Sequence, residues 1–109
     1  MSGQVAEAVA ASVRTEAAED YVGLWSVVRN LRQRMPDASE GAVQSALEDV
    51  IRRLLSSDCV FGQFVDDLGF VAWPPDRLIE QVLDELATLG RDPDIGEVGW
   101  FLASTEVPI

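Results

Sequence analysis

The chain is predicted to fold as an α+β domain, and three observations predict it. Apolar residues recur at three- and four-residue spacing between residues 4 and 55, as they do along one face of a helix. After Ser56-Ser57-Asp58 that spacing gives way to two runs rich in β-branched and aromatic residues, separated by Asp66-Asp67-Leu68-Gly69. A second helical stripe then follows Pro74-Pro75, and one more short extended run follows it. The layout is a helical N-terminal part of two or three helices, a β-hairpin, a further helix and a third short strand.

Residues 4–19 are Ala-rich, with Val5, Val9 and Val13 four apart and Glu7, Arg14 and Glu16 between them. The apolar stripe is thin and its side chains small, so this helix is expected to pack weakly, fray or meet a partner. It is set apart as residues 1–19, with residues 20–109 forming one compact α+β domain. Asp20 can cap a second helix whose apolar face is Leu24, Trp25, Val28, Leu31 and Met35, and Pro36 ends it. Continuity of the first two helices through Asp20 is the alternative. Asp37-Ala38-Ser39-Glu40 reads as a capping box for a third helix with Val43, Ala46, Leu47, Val50, Ile51, Leu54 and Leu55 on one face. On its polar side Glu48 precedes Arg52, and Asp49 precedes Arg53, by four residues.

The runs 59–65 and 70–73 form the hairpin, with Gly69 where the turn requires a positive φ. Pro74-Pro75-Asp76 starts a helix in which Leu78, Ile79, Val82, Leu83, Leu86 and Leu89 form the stripe before Gly90 caps it. Residues 92–97 are a loop, residues 98–103 a strand able to join the hairpin, and Pro108 ends the ordered chain.

Charge bounds the partner. Nineteen Asp and Glu stand against eight basic residues, all Arg, for a formal charge of −11 on 109 residues. Such a surface repels nucleic acid and attracts basic proteins. Without His there is no imidazole base or neutral-pH switch. The single cysteine, Cys59, excludes an internal disulfide and a cysteine metal cluster, and its apolar neighbours mark it as packing rather than nucleophile. Serine nucleophiles lack a base and there is no glycine-rich phosphate loop, so no enzyme activity and no cofactor is expected. Asp92-x-Asp94-x-Gly96 has the spacing that opens a calcium loop, but the twelfth position is Ala103 where a bidentate Glu is needed, so a turn is the reading. Residues 1–11 have neither a basic start nor a continuous apolar run, and no window approaches a membrane span of about 20 apolar residues, so the protein is expected in the cytoplasm.

Of the three tryptophans, Trp25 and Trp100 are expected in the core. Trp73, at a strand end before two prolines, is either a half-exposed interface anchor or a cover for the hairpin's open face.

Three helices followed by a hairpin over residues 20–73 resemble a winged-helix domain in topology. A DNA reader of that kind needs basic residues on its third helix and wing; here the helix exposes Glu40, Gln44, Ser45, Glu48, Asp49, Arg52 and Arg53, and the wing tip is Asp66-Asp67. Arg29, Arg32 and Arg34 remain as a basic stripe. In size, charge and layout the chain also resembles the small acidic bacterial immunity and antitoxin proteins. That resemblance implies a basic toxin as partner and, as contact set, Glu48 and Asp49, Asp66 and Asp67, and Asp92, Asp94 and Glu97, with Trp73 beside them. Self-association through the first helix and winged-helix regulation are the other two readings.

Overall fold

The computed structural model describes residues 2–104, and the expected end at Pro108 lies outside them. Among the described residues four helices and four strands follow in the order α1 (Ser2–Ala17), β1 (Val22–Gly23), α2 (Leu24–Arg34), α3 (Glu40–Leu55), β2 (Cys59–Val65), β3 (Gly69–Ala72), α4 (Leu78–Leu89) and β4 (Trp100–Ala103), with a 3₁₀ turn at Pro75–Arg77. The fold is therefore α+β, as the change of period predicts. No described helix is long and apolar enough to cross a membrane.

The sheet is antiparallel throughout and ordered β1-β4-β2-β3. The chain runs three helices into a hairpin, yet the hairpin does not complete the sheet: β4 enters between β1 and β2. Strand β1 separates α1 from α2, which removes the continuous-helix alternative. It has only two residues, Val22 opposite Phe101 and Gly23 opposite Trp100, too few to carry an alternating pattern.

On the helix-facing side, Phe61 and Phe101 are fully buried with ring centroids 4.7 Å apart. Around them lie Val9 of α1, Leu24 and Leu31 of α2, Val50, Ile51 and Leu54 of α3, and Leu78 and Val82 of α4. Helix α1 belongs to this same core. Its buried stripe is Ala6, Val9, Ala10, Val13 and Ala17, one residue in three or four, and it packs chiefly on α3. The expectation of a loosely held first helix overlooked that small side chains let two helix backbones approach closely, so alanines serve as contact surface.

Two capping expectations and one burial expectation also change. Asp20 does not cap α2; its carboxylate accepts from the Tyr21 amide at 2.8 Å, and α2 begins directly from Gly23 as β1 ends, with the Leu24 amide donating to Gly99 O. Ser39, rather than Asp37, caps α3, its hydroxyl accepting from Ala42 N–H at 3.1 Å, and Glu40 turns away toward Arg32. In α4 only Leu78 and Val82 are buried, while Ile79, Leu83, Leu86 and Leu89 are half-buried, because α4 meets α3 along part of its stripe.

Two backbone positions are tightly specified. A methyl group on Gly62 would overlap the Val71 carbonyl oxygen and lie 2.7 Å from Ala72 Cα. Val98, buried and β-branched, has φ of 68°, a left-handed conformation that such residues rarely adopt.

Candidate interaction face

Strand alternation assigns the side chains of β2 and β4 to two faces. Cys59 and Phe61 turn toward the helices with Phe101, whereas Phe64 turns the other way, opposite Phe70, as does Trp100, opposite Gly62. The second face is aromatic. Phe64 meets Phe70 edge-on at 5.4 Å and Trp100 at 6.2 Å. Tyr21, from the turn before β1, completes the group at 4.9 Å from Trp100 and 5.0 Å from Phe64. Edge-to-face geometry fixes the rings relative to one another, and Gly23, where a Cβ would lie 3.1 Å from the Trp100 ring, leaves room for it. Phe70 and Leu102 are buried yet stand outside the main core cluster. Tyr21 and Phe64 remain 46% and 48% exposed.

Carboxylates flank these rings in the chain. Glu19 and Asp20 precede Tyr21, and Asp66 and Asp67 follow Phe64-Val65; all four are exposed. Every arginine lies elsewhere: Arg14 on α1, Arg29, Arg32 and Arg34 on α2, Arg52 and Arg53 on α3, Arg77 in the 3₁₀ turn, Arg91 just past α4. No described strand carries a basic residue.

The helical side differs in that about half of its described acids are paired with arginine. The Arg32 guanidinium donates in bidentate fashion to Glu40, at 3.0 and 2.8 Å, and to Asp92, at 2.6 and 2.8 Å. It thereby joins the end of α2, the first turn of α3 and the segment after α4, and it holds the Glu40 carboxyl below the usual carboxylate range. Arg91 does the same for the loop, donating to Glu97 at 2.6 and 2.9 Å and lying 3.5 Å from Asp94. Glu97 also accepts from the Asp94 amide at 2.8 Å, and these donors, Arg91 first, lower its pKa to about 2.

The eight residues of the expected contact set consequently do not form one surface. Asp92, Asp94 and Glu97 serve the two arginine clamps. Asp49 is paired with Arg53 at 2.9 Å, and Glu48 lies 4.0 Å from Arg52. Asp66 and Asp67 stand at the hairpin tip, beside the aromatic face. Trp73 is half-buried on the other side of the sheet, edge-on to Phe61 at 5.0 Å. Trp25 and Trp100, expected in the core, are each half-buried, Trp100 because its strand position turns it away from the helices.

Sequence reasoning missed Tyr21, Phe64 and Trp100. A signal existed in the i, i+2 spacing of Gly62 and Phe64 against Phe61, which puts Phe64 on the opposite face, but only the register with β4 adds Trp100 to it.

Two other features are chemically quiet. A groove of about 680 Å³ between α2, α3 and α4 has Val28, Val43, Leu47, Leu83 and Leu86 along it, and its polar end is the Arg32 clamp, whose donors are already committed. Cys59 is buried against the helices, and that burial pushes its thiol pKa up, away from the reactive thiolate. Compared with family models, curated proteins and solved structures, the chain matches none.

Proposed function

We propose that the protein is an acidic interaction domain that docks a basic protein partner on the outer face of its sheet. One observation carries this reading: two half-exposed aromatic rings, Tyr21 and Phe64, meet on a sheet whose described strands hold no basic residue, each within three positions in the chain of two exposed carboxylates. Half-exposed aromatics supply the apolar anchor of an interface, and the surrounding charge steers an oppositely charged partner and rejects a like-charged one. In the immunity- or antitoxin-type reading, that partner is a basic toxin held by its cationic surface.

The experiment is capture of the partner from the native cell, followed by binding kinetics with defined variants. Tyr21→Ser with Phe64→Ser should raise the dissociation rate by about tenfold or more, the order expected for losing an aromatic anchor. Asp66→Asn with Asp67→Asn should slow association and flatten its salt dependence. Equal kinetics for wild type and both variants would place the interface elsewhere.

Winged-helix regulation finds less support. Of its basic stripe, Arg32 is committed to the carboxylates of Glu40 and Asp92, which leaves Arg29 and Arg34, the latter still charged with its Nε donating to Asn30. Retention of a DNA duplex at ~150 mM salt would reinstate it. Self-association through α1 would have used the valine stripe, of which Val9 and Val13 are buried in the chain's own core.

A further inference from the structure

We infer that the outer edge of β3 is a docking edge, which accepts an extended, basic segment of the partner as a fifth strand. This rests on the acidic-interaction reading above and adds to it a mode of binding and a kind of ligand.

Among the described residues, strand β3 lies at the end of the sheet and pairs only with β2. The Trp73 amide donates to Phe61 O at 2.8 Å, and the Val71 carbonyl faces Gly62. In an antiparallel ladder alternate residues point opposite ways, so Phe70 and Ala72 turn their N–H and C=O groups outward, where a further strand would meet them. Sheet edges are ordinarily blunted by lysine, by an inward charge or by proline within the strand. Gly69-Phe70-Val71-Ala72 is short, at four residues, but carries no charge and no proline. The edge is also apolar beside its backbone: Val71 is 37% and Leu68 73% exposed, and Val65 lies opposite Gly69 and is exposed too.

Charge selects the occupant. Between Arg53 and Arg77 the chain has no basic residue and four aspartates, of which Asp66 and Asp67 stand at one end of β3 and Asp76 beyond the other. A strand of alternating apolar and basic residues would set its apolar side chains along Val71 and Leu68 and its cations toward those carboxylates. A second copy of this chain, at −11, is the wrong sign.

The test uses the full chain, labelled with ¹⁵N, and capped peptides of alternating Val and Arg. Binding should shift the amide signals of Phe70 and Ala72 and slow their hydrogen exchange. Ala72→Pro, which removes an outward donor and spares pairing to β2, should weaken binding by about tenfold, as should N-methylation of alternate peptide amides, a control independent of the variant's folding. If the shifts fall on Tyr21 and Phe64 and spare β3, the docking edge is overturned while the sheet-face reading stands. If an alternating Val and Thr peptide binds equally well, the edge exists but its preference for a basic segment, and with it the acidic reading, is overturned. If Phe70 and Ala72 are already protected without peptide, in proportion to protein concentration, a second copy fills the edge and the inference is overturned.

Discussion

Tyr21 lies edge-on to Phe64 at a centroid distance of 5.0 Å, which joins the turn before β1 to the outer end of β2 across the intervening strand β4. The contact is tertiary in origin, since 43 positions separate the two in sequence. It also leaves each residue about half exposed, so these rings stabilise the fold only in part. Phe64→Ser should cost about 1–2 kcal/mol, less than the ~3–5 kcal/mol typical of removing a buried Phe such as Phe61. Denaturant unfolding of the two variants side by side measures the difference. Equal losses would mean that Phe64 is a core residue and the face is not a binding surface.

Gly62 should not tolerate even a methyl group. Its Cβ would overlap the carbonyl of Val71, which is backbone in a paired strand and cannot rotate aside. Gly62→Ala is expected to lower stability by about 1–3 kcal/mol, a fall in Tm of roughly 5–15 °C at this chain length. Gly3→Ala, with nothing within 4 Å of the added carbon, is the matched control and should be neutral or slightly stabilising. Thermal melts of the two variants decide it.

Helix α1 should behave as part of the core. Amides across residues 6–13 are expected to exchange at rates close to those of α3, because Ala6, Val9, Ala10 and Val13 are all buried against it. Ala10→Leu forces extra methylenes into that close contact and should destabilise by about 1–3 kcal/mol. Fast exchange confined to α1, with Ala10→Leu harmless, would restore the loosely attached helix of the sequence reading.

Stability should fall on the acid side through the arginine clamps. Glu97 titrates at about 2 in the folded protein against an ordinary value of 4.5, and Glu40 is displaced in the same direction. A carboxyl whose folded pKa lies below its unfolded value binds fewer protons when folded. Its contribution is therefore complete above pH 4.5 and is lost progressively as pH falls toward 2. Arg91→Leu removes the first donor to Glu97 and should flatten this limb of the stability curve, its loss of stability appearing above pH 4.5, kept small by screening salt, and vanishing toward pH 2. An unchanged slope between pH 5 and 2 would show that the clamp does not persist in solution.

From the sequence alone follow the elements and the sign of the charge. The three-and-four spacing of α3, its acid-before-base pairs, the Gly69 turn and the Gly90 cap are local, each decided by residues within a few positions of one another, and each stands where periodicity and turn chemistry put it. What the tertiary structure decided is everything set by partners far apart in the chain. Strand β1 exists because Phe101 and Trp100 lie across from it. Asp37 and Glu40 form no capping box, since Arg32 draws Glu40 away and Ser39 is left to cap the helix. Asp92, Asp94 and Glu97 read as acidic surface, and became parts of two clamps, each one arginine between two carboxylates, when folding brought Arg32 and Arg91 to them. The aromatic face needed strand order as well as alternation, because Tyr21, Phe64, Phe70 and Trp100 come from four separate segments. Local spacing records which side of its own element a residue occupies, while register and pairing, which place that side against core, clamp or solvent, are properties of the assembled chain.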